Sequence, residues 1–330
     1  MRCIFILFIV GLLISGDSFT TEARAEPAYQ LRIATLAPRD SPLGQEYQKL
    51  KIGMRERTNG QVNMKMYYGG IAGDEITVVR KMRVGQLDGA LITSTGLSAL
   101  VRQVLVMEAP GLIRSYEELD AVREDLAPQL EALFDKAGYK LVAWGDAGKT
   151  RIFSTQKIYS PADLRNVRPW VWRDSATMRA FIKAAGANGV LLNLPEVYSA
   201  LQTGIIDTVI ASSVGVLAFQ WHTKLKTMAK QAGGIVTGAF VLKKDHLDAL
   251  PKEARDYIDE VSGETEETFR REGRKIDDEA AETLSKRLKV INLFRAQRQW
   301  EDVQFEARES LVGRMYSRAL LSRVQEILHK

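Results

Sequence analysis

The sequence is poor in the groups that most enzyme chemistry needs. Its 330 residues hold one cysteine, Cys3, and three histidines, His222, His246 and His329. A single cysteine excludes a disulfide within the chain, and Cys3 stands ahead of an N-terminal apolar run whose cleavage would remove it. No two histidines have zinc-ligand spacing, so a metal would need a cage of carboxylates alone, which nothing in the sequence marks. There is no Gly-x-Ser-x-Gly elbow, and a mature chain without cysteine has no thiol nucleophile. Gly145-Asp146-Ala147-Gly148-Lys149-Thr150 resembles the end of a phosphate-binding loop, but that loop needs a second glycine where this chain has Ala143. It reads better as a turn between two lobes. The expectation is a protein that is not an enzyme and has no cofactor or metal.

Long hydrophobic runs are scarce too. Ile4 to Ile14 is the one near-continuous run; Met1-Arg2 precedes it and Ala23-Arg24-Ala25 follows it. That pattern predicts a secretory signal peptide over 1–25, too short to read as a membrane span, and places the mature protein in the periplasm. The net charge of +5 is spread as alternating Lys, Arg, Asp and Glu along helical stretches. Such charge describes solvated faces. No basic stripe with interleaved aromatics points to nucleic acid.

What the chain does have is an alternation of strand-like and helix-like periods. Tyr29 to Leu36 alternates as a strand, Ser41-Pro42 opens a helix, Val62 to Tyr67 alternates again, Asp74-Glu75 opens a second helix, and Gly89 to Ile92 reads as a buried strand. This rhythm calls for an α/β fold, with a sheet flanked by helices. A helix over 116–137 and a strand over 140–144 complete a first lobe. The second lobe is predicted to hold strands near 151–155, 170–172 and 205–211 and helices over 175–185 and 195–203, before a strand over 235–242 leads back. After cleavage about 305 residues remain of the 330, enough for two cores. The sequence divides into 26–148 plus about 236–270 for lobe I and 149–235 plus about 271–330 for lobe II. The sparse apolar residues of 252–290 suit a long helix lying across both lobes.

Four of the five tryptophans, Trp144, Trp170, Trp172 and Trp221, fall within one part of the chain. In an extended segment Trp170 and Trp172 share a face, so the two indoles offer flat apolar surface either to a core or to a ligand.

Ala72-Gly73-Asp74-Glu75 followed by Gly85-Gln86-Leu87-Asp88-Gly89 resembles the first-lobe signature of the solute-binding proteins of TRAP transporters, the DctP-type family. Pro161-Ala162-Asp163-Leu164-Arg165, Glu196-Val197-Tyr198-Ser199-Ala200-Leu201-Gln202-Thr203-Gly204 and Ile206-Asp207 resemble its second-lobe signatures in the same order. The resemblance implies a two-lobe periplasmic binding protein that closes about hinges on a small molecule and delivers it to a membrane permease. Two positions depart from the pattern. Trp170 stands where the family places an arginine that grips the substrate carboxylate, and Ala211 stands where it places an asparagine. Both changes move the pocket from carboxylate recognition toward apolar contact.

The expected ligand is therefore largely apolar, lipid-like or aromatic. The chain resembles the subgroup that also lacks this arginine and works with a tetratricopeptide-repeat partner. The expected ligand residues are Trp170, Arg151, Glu75, Ala211, Trp172, Trp144 and Phe153. One alternative keeps the fold and binds a small organic acid through Arg151, or through Arg168 two residues before Trp170. Another is a scaffold or sensor partner that transports nothing.

Overall fold

The structure is a computed structural model that describes residues 27–260, 262–263 and 266–329. The segment expected to be a signal peptide lies outside the described residues. Among them, no helix is long and apolar enough to cross a membrane.

The first half of the chain runs β1 (Tyr29–Thr35), α1 (Pro42–Arg57), β2 (Val62–Tyr67), α2 (Glu75–Arg83), β3 (Gly89–Thr93), α3 (Ser94–Leu100), α4 (Tyr116–Lys136) and β4 (Tyr139–Ser154). Local chemistry sets these boundaries. Ser41 accepts from the Gly44 amide to cap α1, with proline at the first helical position, and Asp74 caps α2 through the Thr77 amide at 2.9 Å. Ser115 and Glu118 close a capping box on α4. β2, β1 and β3 lie side by side and parallel, as the βαβαβ rhythm requires.

The second half runs β5 (Trp170–Trp172), α5 (Ala176–Ala184), β6 (Val190–Leu192), α6 (Val197–Thr203), β7 (Thr208–Ser212), α7 (Ser213–Ala218), β8 (Thr227–Ala229) and β9 (Gly234–Lys243). It ends with α8 (Lys244–Asp248), α9 (Lys252–Glu260), α10 (Glu266–Arg287), β10 (Lys289–Ile291), α11 (Gln297–Leu311) and α12 (Arg318–Leu328). The main sheet has the order β10-β8-β4-β9-β3-β1-β2, with β7 also paired to β4, and β5 and β6 form a separate parallel pair.

The 145–150 segment corrects the sequence reading. It is not a turn between two strands. β4 is one 16-residue strand that pairs antiparallel with β9 from Tyr139 to Thr150 and with β7 from Thr150 to Ser154, so it passes from one lobe to the other without a break. Its glycines serve an irregularity in the strand: the register shifts between Asp146 and Gly148, and Gly148 takes φ +101°. The extra residue is absorbed as a bulge and the pairing resumes beyond it.

α10 lies along this bulge. Asp277 is fully buried and accepts from the amides of Lys149 at 2.9 Å and Val214 at 3.0 Å, joining β4 to α7. Gly273 lets the helix approach the strand, since a Cβ there would sit 2.8 Å from the Asp146 carbonyl oxygen. Arg274 donates to Asp146 at 2.7 Å and to Asp120 at 2.7 Å, while Arg123 also pairs with Asp146. α10 thus packs on β4 and reaches from α1 to α7 and β10, but it covers only part of the 252–290 stretch expected as one long helix: Lys252–Glu260 is the separate α9, whose Ala254 and Ile258 pack into the core with Ile33 and Met54.

Buried side chains form cores on both sides of the crossing. Leu119, Val122, Leu126, Phe134, Trp144 and Val241 build one core of the first lobe, and Ile33, Met54, Met64 and Phe240 the other. In the second lobe Phe153, Trp170, Val209 and Trp221 pack together, beside a group with Leu164, Val171, Ile182 and Trp300. The sequence division puts about 271–330 in the second lobe, but Leu320, Leu321 and Val324 of α12 pack into the first-lobe core built on α4. The Arg323–Asp125 pair at 2.9 Å ties it there.

Gly148→Ala places a Cβ at a positive φ and against the Asp277 carboxylate, so urea unfolding should show a loss of about 1–3 kcal/mol. An unchanged midpoint would show that α10 and the bulge are not in close contact.

Candidate functional site

A cavity of about 500 Å³ lies between the lobes. Its first-lobe wall comes from the ends of β1 and β3, the start of α2, and the segment around Glu108. Its second-lobe wall comes from β5, β7, α5, α7 and the loop before α11. β4 runs along one side with Trp144, Asp146, Arg151 and Ile152.

Six of the seven residues expected at the ligand line this cavity: Glu75, Trp144, Arg151, Trp170, Trp172 and Ala211. Trp170 and Trp172 do share a face, with ring centroids 6.2 Å apart and planes 24° apart. Trp221 meets Trp170 edge-on at 5.3 Å, and Phe219 stacks on Trp221 at 5.4 Å, which extends the wall to four aromatic rings. The Trp170 indole N–H donates to the Leu192 carbonyl at 3.1 Å, so its polar atom is satisfied inside the protein; the ring is 2% exposed, and the little of it that meets the cavity is apolar. Ala211 sits opposite Arg151 across the β4–β7 ladder.

Phe153 is a correction. It is fully buried between its ladder partners Val209 and Met228 and packs in the core with Trp221, so it lies behind the wall and does not line the cavity. Arg168 also falls outside. β5 begins only at Trp170, so the alternation that would have aligned 168 with 170 does not extend back to it. The side chain is 60% exposed and pairs with Asp207 at 3.3 Å.

Arg151 is held by a hydrogen bond to the Lys230 carbonyl, and its Nε is buried without a partner. The other arginine lining the cavity, Arg114, pairs with Glu301 at 3.5 Å.

Glu75 both caps and lines. Its carboxylate accepts from the Thr93 amide and hydroxyl at 2.8 Å each and from the Gly96 amide at 2.7 Å, bracing the start of α3. Desolvation pushes its pKa up to about 7 against the pull of those donors. Sequence reasoning missed Glu108. It ends a tight helical segment, Arg102–Glu108, that has no apolar period to place it, and it accepts from the Thr237 amide at 2.6 Å. Part of its surface is open, but that surface faces the cavity. Desolvation again dominates and pushes it up to about 7, opposed by Ser94 and Thr237 and assisted by the nearby Glu75 charge.

The model of the bacterial extracellular solute-binding protein family 7, DctP, matches residues 33–318. The chain belongs to this family. It is 26% identical over 260 residues to a solute-binding protein of Albidiferax ferrireducens, covering 76% of this chain and 75% of that one. It is 22% identical over 259 residues to the C4-dicarboxylate-binding periplasmic protein DctP of Rhodobacter capsulatus, covering 78% and 77%. In fold it is similar to a TRAP periplasmic solute-binding protein of Ralstonia eutropha solved with bound (S)-2-acetolactate, with TM-score 0.84, 20% identity, and coverage of 91% of this chain and 98% of the other. DctP-family proteins are extracytoplasmic binding subunits of transporters, so the cavity between the lobes is the natural place for a solute.

The two carboxyls generate a pH prediction. Each holds its proton more tightly in the folded chain than at the ordinary 4.5, so the folded state is favoured most below about 4.5 and loses that advantage as pH rises through about 7. Asp88 and Asp120 are held low, against desolvation, by Arg32 and Arg274 and stay ionised throughout that window. The melting temperature of the ligand-free protein should fall between pH 5 and 8, and Glu108→Gln should make the fall shallower. A flat profile in both proteins would contradict the assignment.

Proposed function

We propose that this DctP-family protein closes on a largely apolar ligand, aromatic or lipid-like, and delivers it to the membrane permease of a TRAP transporter. The observation that carries the reading is the wall formed by Trp172, Trp170, Trp221 and Phe219, with the Trp170 N–H already satisfied by Leu192. A wall of this kind gains from displacing water over a flat apolar surface and gives a bare carboxylate nothing to pair with. Ala211 continues the same surface beside it. The same departures from the family pattern support a tetratricopeptide-repeat partner, as in the subgroup that the sequence resembles.

A second reading, a small organic acid held by Arg151, is favoured by the unpartnered Nε of that residue and by the hydroxy-acid ligand of the Ralstonia protein. The two readings separate on variants. N-phenylnaphthylamine fluorescence should report binding to the native protein, and Trp170→Ala should weaken it by about tenfold or more, in keeping with the weight that buried aromatic anchors carry. Arg151→Ala should change it only slightly. No probe binding, together with succinate binding that vanishes in Arg151→Ala, would overturn the apolar reading in favour of the acid.

A further inference from the structure

The polar groups around the cavity are paired unevenly. Among the carboxylates that line it, Glu301 pairs with Arg114, Asp146 with Arg123 and Arg274, and Glu46 with Lys49 at 2.7 Å. Glu75 and Glu108 are surrounded by neutral donors instead: Thr93 and Gly96 for one, Thr237 and Ser94 for the other. Glu75 has both oxygens engaged in bracing α3. Glu108 receives the Thr237 amide and hydroxyl on the same oxygen. An enclosed carboxyl ringed by neutral donors suits a cation that the protein itself does not supply.

Donors are left over as well. The Arg151 Nε and the Trp144 indole N–H are both buried without acceptors, on side chains that line the same cavity, and Trp144 is only 1% exposed. Among the described residues no ion pair joins Arg151 to Glu75 or Glu108; the charge that acts on Arg151 from within the protein is the buried Asp277 carboxylate, and its Nε keeps no acceptor. A buried donor without a partner costs free energy that a ligand oxygen recovers. The cavity therefore has an unmatched acceptor on its first-lobe wall, unmatched donors just beneath its β4 side that a ligand oxygen reaches once the side chains shift, and an aromatic surface between β5 and α7.

We propose that the ligand is a zwitterion on an apolar body, with an ammonium group facing Glu108, a carboxylate taken by Arg151 and Trp144, and its body against Trp170, Trp172 and Trp221. This rests on the reading of the cavity as the solute site with an aromatic wall. The arrangement gives a zwitterion both partners and leaves a simple acid with an unmatched carboxyl beside it.

The test uses three molecules with one ring and one chain length: L-phenylalanine, 2-phenylethylamine and 3-phenylpropanoate. Binding to the ligand-free full-length mature protein is followed by calorimetry at pH 7. Phenylalanine should bind about tenfold or more tighter than either of the others, since each of them leaves one charged partner unmatched. Glu108→Gln retains an oxygen for Thr237, so it should melt close to the native protein. It should remove the advantage of phenylalanine over 3-phenylpropanoate while leaving 3-phenylpropanoate itself little changed.

Equal binding of phenylalanine and 3-phenylpropanoate, or a Glu108→Gln protein that keeps the native preference, overturns the ammonium site. Equal binding of phenylalanine and 2-phenylethylamine overturns the carboxylate site. If none of the three binds while N-phenylnaphthylamine does, the zwitterion is overturned and the apolar cavity stands. If nothing binds, both readings fall.

Discussion

The strand that runs from Tyr139 to Ser154 is the constraint on which the rest of the structure depends. It belongs to both lobes at once, paired to β9 for most of its length and to β7 at its end. Its bulge at Asp146 and Gly148 bends the sheet where the lobes meet, and α10 is fastened there by Asp277, Arg274 and the close approach at Gly273. The ion pairs around Asp146 are buried, so each charge depends on its partners and removing one would strand the others. This rigid seam sets the separation of the two walls, and the cavity is the space left between them.

The walls are chemically unlike. The second lobe presents rings, and the packing behind them is apolar: Phe153, Val209 and Met228 support Trp170 and Trp221 from within the core. The first lobe presents hydroxyls and two carboxyls that burial has made weak acids. The cavity thus has apolar ring surface on one side and hydrogen-bonding groups on the other.

Much of this was legible in the sequence because periodicity carries through to the fold. Val62 to Tyr67 alternates and is β2, and Ser41-Pro42 and Asp74-Glu75 open helices because their side chains or ring geometry complete a helix start. The tryptophan pair lies on one face because a strand of even three residues has period two. Long-range choices were not legible. Gly145 and Gly148 are compatible with a turn or a bulge, and only the Asp277 carboxylate arriving from α10 decides between them. The stripe on α12 says that it packs, but not that α4 is its partner. Phe153 and Arg151 lie two apart on one strand, yet flanking strands bury the first and the second reaches the cavity. Glu108 had no local signal, since its role comes from Thr237, more than a hundred residues away.

The account stands on the claim that the ring-bearing wall faces the solute and sets its character. The most direct test is to purify the protein from the cells that make it, denature it, and identify by mass spectrometry what it releases. The account predicts a stoichiometric small molecule with an aromatic or extended hydrocarbon body. Release of a compact dicarboxylate such as succinate would contradict it.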